Sequence, residues 1–228
     1  MRDVEVLFYF GGAPEVERRG SDVLLPVADD LAHVARKTVA FFDFALDFVD
    51  FDLLFRTNCS SYVDLPNLRA FADRHAHAAR YYAGFTGRHE GMLFAAGSGY
   101  FLSRDLVRTA AADWPQWNER LLDDVALADV LHRHGVAPVP IPRRDYTAPG
   151  HVTPADASLF HFRCKTESRF RHEDVRIMLA VHRMFLRSRG GRLPWALRGQ
   201  SAIATLAKPI LAFAVAARRL ARRYGRRY

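Results

Sequence analysis

Short runs of β-forming residues alternate with longer stretches of helical periodicity from residue 4 to residue 187. No other feature constrains the fold as much, because strands separated by helices of about ten or more residues assemble into a mostly parallel sheet covered by helices. Residues 4–10, 21–27, 53–55, 81–85, 93–96, 136–141 and 160–164 read as strands, and 29–49, 65–77, 103–111, 122–134 and 173–187 as helices. Asp29 and Asp30 open the first helix in this reading, where acids suit the helix dipole. In such α/β sheets ligands gather at the carboxyl ends of strands, which draws attention to residues 56–61, 97–99 and 123–124.

Charge divides the chain in two. The whole carries +8, yet from Arg187 onward there are eleven Lys or Arg and no Asp or Glu, so removing that +11 leaves residues 1–186 at −3. An α/β domain over 1–186 and a basic tail over 187–228 follow. A nucleic-acid footprint spread over the fold is not expected. In the tail, residues 202–217 are apolar apart from Thr205 and Lys208, with Pro209 interrupting them, too short a run for the ~20 residues of a spanning helix. Arg218-Arg219, Arg222-Arg223 and Arg226-Arg227 then recur every four residues, the pattern of a basic amphipathic helix on an anionic membrane surface. The alternative is a solvated basic terminus. Cys59 and Cys164 fit neither a zinc spacing nor a disulfide framework, and the apolar stretch near the N-terminus reads as a strand and not an export signal. The expected location is cytoplasmic, peripheral on the inner face of the membrane.

Four segments carry candidate chemistry. Asp123 and Asp124 start a helix after an aromatic loop containing Trp114 and Trp117. They either complement the helix dipole or supply a general base. Gly97, Ser98 and Gly99 interrupt an apolar run, as a tight turn or as a place where a ligand approaches the backbone. Asn58-Cys59-Ser60-Ser61 follows a strand, either as a capped turn or as a ligand contact. Around Phe160 to Lys165 a period of two puts His161, Arg163 and Lys165 on one strand face, suited to a diphosphate or simply a half-exposed basic strand.

These segments occur in an order that resembles the beta-1,3-galactosyltransferase and fringe group of GT-A glycosyltransferases. Members show a helical Lys-Thr pair, a strand ending in Lys-x-Asp-Asp-Asp-x-x-Val-Asn, a Gly-rich segment running into Ser, then Glu/Asp-Asp-Val-x-x-Gly. Here Lys37-Thr38, Arg56-Thr57-Asn58-Cys59-Ser60-Ser61-Tyr62-Val63, Ala96-Gly97-Ser98-Gly99-Tyr100-Phe101-Leu102-Ser103 and Leu122-Asp123-Asp124-Val125 stand in that order. The resemblance implies a GT-A, Rossmann-like fold and transfer of a hexose from a nucleotide diphosphate sugar, a UDP-sugar in that group, to a glycan or lipid-linked acceptor. It implies Asp124 as base with Asp123 supporting it. Arg56, Asn58, Ser60, Lys37, His161, Arg163 and Lys165 would bind the donor diphosphate. Gly97, Ser98, Gly99, Trp114 and Trp117 would form the donor and acceptor cleft.

The chain departs from the group at two points. The Asp triplet that holds a divalent metal, usually manganese, is replaced by Asn58-Cys59-Ser60, poor ligands for a hard cation. No metal ligand is assigned, and His161 is the residue left to hold manganese if one is used. The strand that usually precedes the one at residues 4–10 is also missing. Other classes consistent with the sequence are a non-catalytic relative that binds nucleotide sugars or glycans, and a basic-tailed nucleic-acid-binding protein.

Overall fold

The structure, a computed structural model, describes residues 4–166 and 172–191. The arginine-rich tail expected to form an amphipathic helix lies outside the described residues. The chain runs β1 (Phe8–Phe10), β2 (Glu17–Arg19), β3 (Asp22–Leu24), α1 (Val34–Phe48), β4 (Leu53–Thr57), β5 (Ser61–Val63), α2 (Leu65–Asp73), β6 (Tyr82–His89), β7 (Met92–Ser103), α3 (Arg104–Ala112), α4 (Asp123–Arg133), β8 (Val139–Pro140), β9 (Arg144–Tyr146), β10 (His161–Cys164) and α5 (His172–Ser188).

The fold is mixed α/β, and its sheets are mixed where a mostly parallel sheet was expected. The largest has the order β4-β7-β6-β8, and two three-stranded sheets have the orders β1-β3-β2 and β5-β10-β9. Pairs β1–β3, β6–β8 and β9–β10 are parallel, whereas β2–β3, β4–β7, β6–β7 and β5–β10 are antiparallel. The cause is local. Glu90 and Gly91 take φ of 48° and 85° and close a tight hairpin between β6 and β7. A connection that short can join only antiparallel strands.

The main sheet is covered on both faces. Alternate residues of β7 serve opposite sides: Tyr100 and Leu102 join the core formed with α1, α3 and α4, and Phe101 joins Leu68 of α2 with Phe160. The third sheet packs its Phe162 and Cys164 against Ile177, Val181 and Phe185 of α5. Asp64 caps α2 by accepting the Asn67 N–H at 3.0 Å. Arg189 clamps both oxygens of the same carboxylate at 2.8 and 2.6 Å, tying the end of α5 to the start of α2. Helix α1 begins at Val34, so Asp29 and Asp30 precede it in a loop. From that loop Asp29 pairs with Lys37 in the first turn, and Asp30 pairs with the His33 ring and accepts the N–H of His33, the N-cap residue, at 3.0 Å. No helix among the described residues is long and apolar enough to cross a membrane.

Candidate functional site

Gly97, Ser98 and Gly99 lie inside β7 and form no hairpin turn. Along the β6–β7 ladder Gly84 faces Tyr100 and Thr86 faces Ala95, so residues 96–99 stand opposite Phe85 alone. A bulge of this kind takes backbone groups out of the ladder and aims them elsewhere. Here they become a hub for side chains. The Gly97 N–H donates to Asp124 Oδ2 at 2.6 Å. The Gly97 carbonyl accepts from Arg56 Nη1 and, at 3.3 Å, from Asn58 Nδ2. The Ser98 carbonyl accepts from Thr57 Oγ1 at 2.7 Å, Ser61 Oγ at 2.8 Å and His161 Nε2 at 3.0 Å. A Cβ on Gly97 would stand 2.8 Å from Arg56 Nη1, and one on Gly99 would stand 2.6 Å from His161 Nε2 and 2.8 Å from Phe55. That crowding is why these positions carry glycine.

The two adjacent acids at the start of α4 face different surroundings. Asp123 is 6% exposed. It forms an ion pair with Arg56 and accepts from Thr38 Oγ1 at 3.2 Å. Burial raises its pKa, Arg56 pulls it down, and the neighbouring Asp124 adds to the rise. Arg56 also donates from Nε to the Tyr9 hydroxyl at 3.2 Å. Asp124 is half-buried. One of its oxygens holds the Gly97 N–H and the other the Val125 N–H at 3.0 Å. Each carboxylate oxygen has more than one lone pair, so Asp124 can still accept from a ligand hydroxyl.

Asn58 closes the turn from β4 to β5. Its Oδ1 accepts from Ser60 N at 3.2 Å, Ser60 Oγ at 2.9 Å, Ser61 Oγ at 3.3 Å and Arg163 Nη1 at 3.4 Å. The capped-turn reading of this segment therefore holds, with Arg163 brought to it. Strand β10 does put His161 and Arg163 toward the hub, but its basic face is not uniformly open. His161 is fully buried against Phe55, with ring centroids 5.6 Å apart. Arg163 is half-buried, and Lys165 follows the strand in solvent. Burial, with the nearby Arg143 charge, pushes the His161 pKa down to about 4.

Two expected contributors stand apart. Lys37 pairs with Asp29 and lies 5.8 Å from the centroid of the Tyr9 ring, whose hydroxyl meets Arg56. Trp117 is a core residue, its Nε1 donating to the Ala110 carbonyl at 2.9 Å, and cannot offer its face to a sugar. Trp114 is half-buried beside it, with centroids 6.0 Å apart. Sequence reasoning missed Arg143, which donates to Ser98 Oγ at 2.6 Å while Asp145 holds it by both oxygens. The prolines before it, Pro138, Pro140 and Pro142, left no periodicity to read. Tyr9 was missed as well, while Thr57 and Ser61 fall within the 56–61 stretch singled out from the sequence. A cleft of about 370 Å³ adjoins the site, with Tyr9, Phe41, Leu54, Arg56, Thr57 and Leu68 among its lining residues. Its lining is drawn from β1, α1, β4 and α2.

The side chains that the resemblance offers to a divalent metal do not fit one. Asn58 Oδ1 is a neutral amide oxygen already accepting from Ser60 N, Ser60 Oγ and Arg163 Nη1. With Nε2 of His161 donating to a carbonyl, the lone pair sits on Nδ1, which is buried without a partner and does not open onto the site. Among the described residues no three His, Cys, Asp or Glu side chains converge to hold a metal ion. No protein-family model and no curated protein matches the chain.

Two tests follow from this geometry. Asp123→Asn should cost about 3–5 kcal/mol in chemical denaturation, since it leaves a buried guanidinium without its counter-charge. Replacing both partners, Arg56→Met with Asp123→Leu, should recover much of that loss. A cost near 0.3–1 kcal/mol for the single change would mean that Asp123 merely complements the helix dipole. The second test is acid sensitivity. The folded His161 pKa of about 4 lies below its ordinary 6.5, so between these values the unfolded chain binds a proton that the folded one refuses. This contribution to stability is intact above pH 6.5 and falls by about 3 kcal/mol as pH drops to 4. His161→Gln should lose less stability than the parent between pH 7 and 4.5, and equal losses would refute the assignment.

Proposed function

We propose that the protein is a glycosyltransferase of the GT-A type, moving a hexose from a nucleotide diphosphate sugar to a hydroxyl of a glycan or lipid-linked acceptor. The observation that carries this reading is the separation of roles between two adjacent acids: Asp123 is neutralised inside the fold by Arg56, while half-buried Asp124 is oriented by the Gly97 N–H. Segments that resemble the motifs of this enzyme group and lie far apart in sequence meet at the β7 bulge.

In the proposed reaction the acceptor hydroxyl gives its proton to the Asp124 carboxylate as its oxygen bonds to the anomeric carbon. The bond from that carbon to the donor diphosphate breaks, and the diphosphate leaves with the electron pair. The proton on Asp124 then passes to water. Gly97 and Ser98 shape the wall between acceptor and diphosphate, and Trp114 is the aromatic residue left to stack on an acceptor sugar.

Asp124→Asn should lower transfer by more than about 100-fold while leaving nucleotide affinity nearly unchanged, because it removes proton acceptance and keeps the shape. Residual transfer above about one per cent of the parent rate would contradict the assignment.

The arginine repeats of the tail support a peripheral attachment to the inner face of the membrane. The full chain should co-sediment with anionic vesicles at low salt, less so at high salt, and a chain ending at Arg198 should not. If both proteins stay in the supernatant at low salt, the membrane attachment is wrong.

A further inference from the structure

We propose that the acceptor is a glycan carried on an extended polypeptide, and that the polypeptide binds by adding a strand to the open edge of β4. The proposal takes the reaction from the glycosyltransferase reading and adds to it the class of acceptor.

Among the described residues β4 is an edge strand, paired with β7 alone. Successive residues of a strand point to opposite faces of its sheet, yet all five residues of β4 line the cleft. The cleft therefore runs along the edge of the strand. The backbone of β4 bonds only to β7 among the described residues, although the strand is half-buried. Backbone N–H and C=O groups in such a place require partners. Natural sheets blunt an open edge with Lys, Pro or a bulge. Leu53-Leu54-Phe55 carries neither residue, and the register of β4 with β7 is unbroken.

The side chains of an added strand alternate too, and the cleft has an apolar surface for each set. Phe41 and Ala45 belong to the core on one face of the main sheet, and Leu68 and Phe101 to the core on the other. A hydrocarbon chain would match these surfaces and leave the outward backbone groups of β4 unpaired, whereas a polypeptide satisfies both. Five residues at ~3.4 Å each give about 17 Å of ladder. The strand also leads to the site. Arg56 and Thr57, at its end, donate to the Gly97 and Ser98 carbonyls, and the Gly97 N–H holds Asp124. A peptide lying along β4 thus ends beside the residues that hold the base, where its glycan presents a hydroxyl.

The experiment follows amide hydrogen exchange along β4 in the full chain. The probes are pentapeptides alternating Val, Leu or Phe with Thr, each in a plain and a backbone N-methylated form. In the free chain the β4 amides facing away from β7 should exchange fast and those bonded to β7 slowly. A plain peptide at ten times its Kd should slow the outward amides about tenfold, and its N-methylated form should not. Ala72→Trp, which crowds the α2 side of the cleft, should weaken the peptide about tenfold or more and leave donor affinity unchanged. Outward amides that stay fast with every plain peptide overturn the proposal, and so does equal slowing by the N-methylated forms. Outward amides already slow in the free chain overturn it too, because the chain itself or a second copy then covers the edge. If a donor is consumed while these amides stay fast, the glycosyltransferase reading stands without the peptide. If a plain peptide slows them and no donor is ever consumed, the edge binds polypeptide but the glycosyltransferase reading and the acceptor assignment fail.

Discussion

The buried ion pair between Arg56 and Asp123 is the interaction on which the rest of the structure depends. A buried charge is tolerated only when paired and hydrogen-bonded, and removing one member exposes the full desolvation cost of the other. Here the requirement gathers five elements. Arg56 comes from β4, Asp123 from α4, Thr38 from α1, the Gly97 carbonyl from the β7 bulge and the Tyr9 hydroxyl from β1. If any of these elements shifts, the pair loses a partner. Burial works against the Arg56 charge, but its pKa is still raised, and the Asp123 carboxylate and the Tyr9 hydroxyl that accepts from Nε keep the guanidinium protonated.

That constraint explains why two acids with the same side chain and adjacent positions have different prospects. Successive helix residues point about 100° apart, so when Asp123 turns into the core Asp124 faces the bulge. The bulge meets it with a backbone N–H. A carboxylate fixed by a backbone N–H therefore stands beside a turn rich in small polar side chains.

Much of this was legible in the sequence, and the failures have physical reasons. Helix α4 was readable because two acids precede an apolar run that Gly135 ends in the left-handed region, at φ 71°. The alternation of residues 160–165 put His161, Arg163 and Lys165 on one strand face. Which of them meets solvent depends on what packs against that face, and Phe55 and Gly99 cover His161. Strand β9 could not be read, since Arg144-Asp145-Tyr146 has no β pattern of its own and owes its conformation to β10. The sheet directions were misjudged because the strands read at 81–85 and 93–96 are joined by a turn at Glu90-Gly91 that is short enough only for antiparallel pairing, whereas alternation with helices had suggested a mostly parallel sheet. Trp117 looked like a loop aromatic and is a core residue held by α3.

The activity proposed for this site is transfer of a sugar. The most direct test is release of nucleoside diphosphate from a panel of nucleotide diphosphate sugars by the purified full chain, with and without hydroxyl acceptors. The account expects one donor to be consumed, faster when its acceptor is present, with the sugar recovered on the acceptor. A donor that binds and is never consumed would make the protein a sugar-nucleotide-binding relative. If no donor binds while a short oligonucleotide does, the account is contradicted.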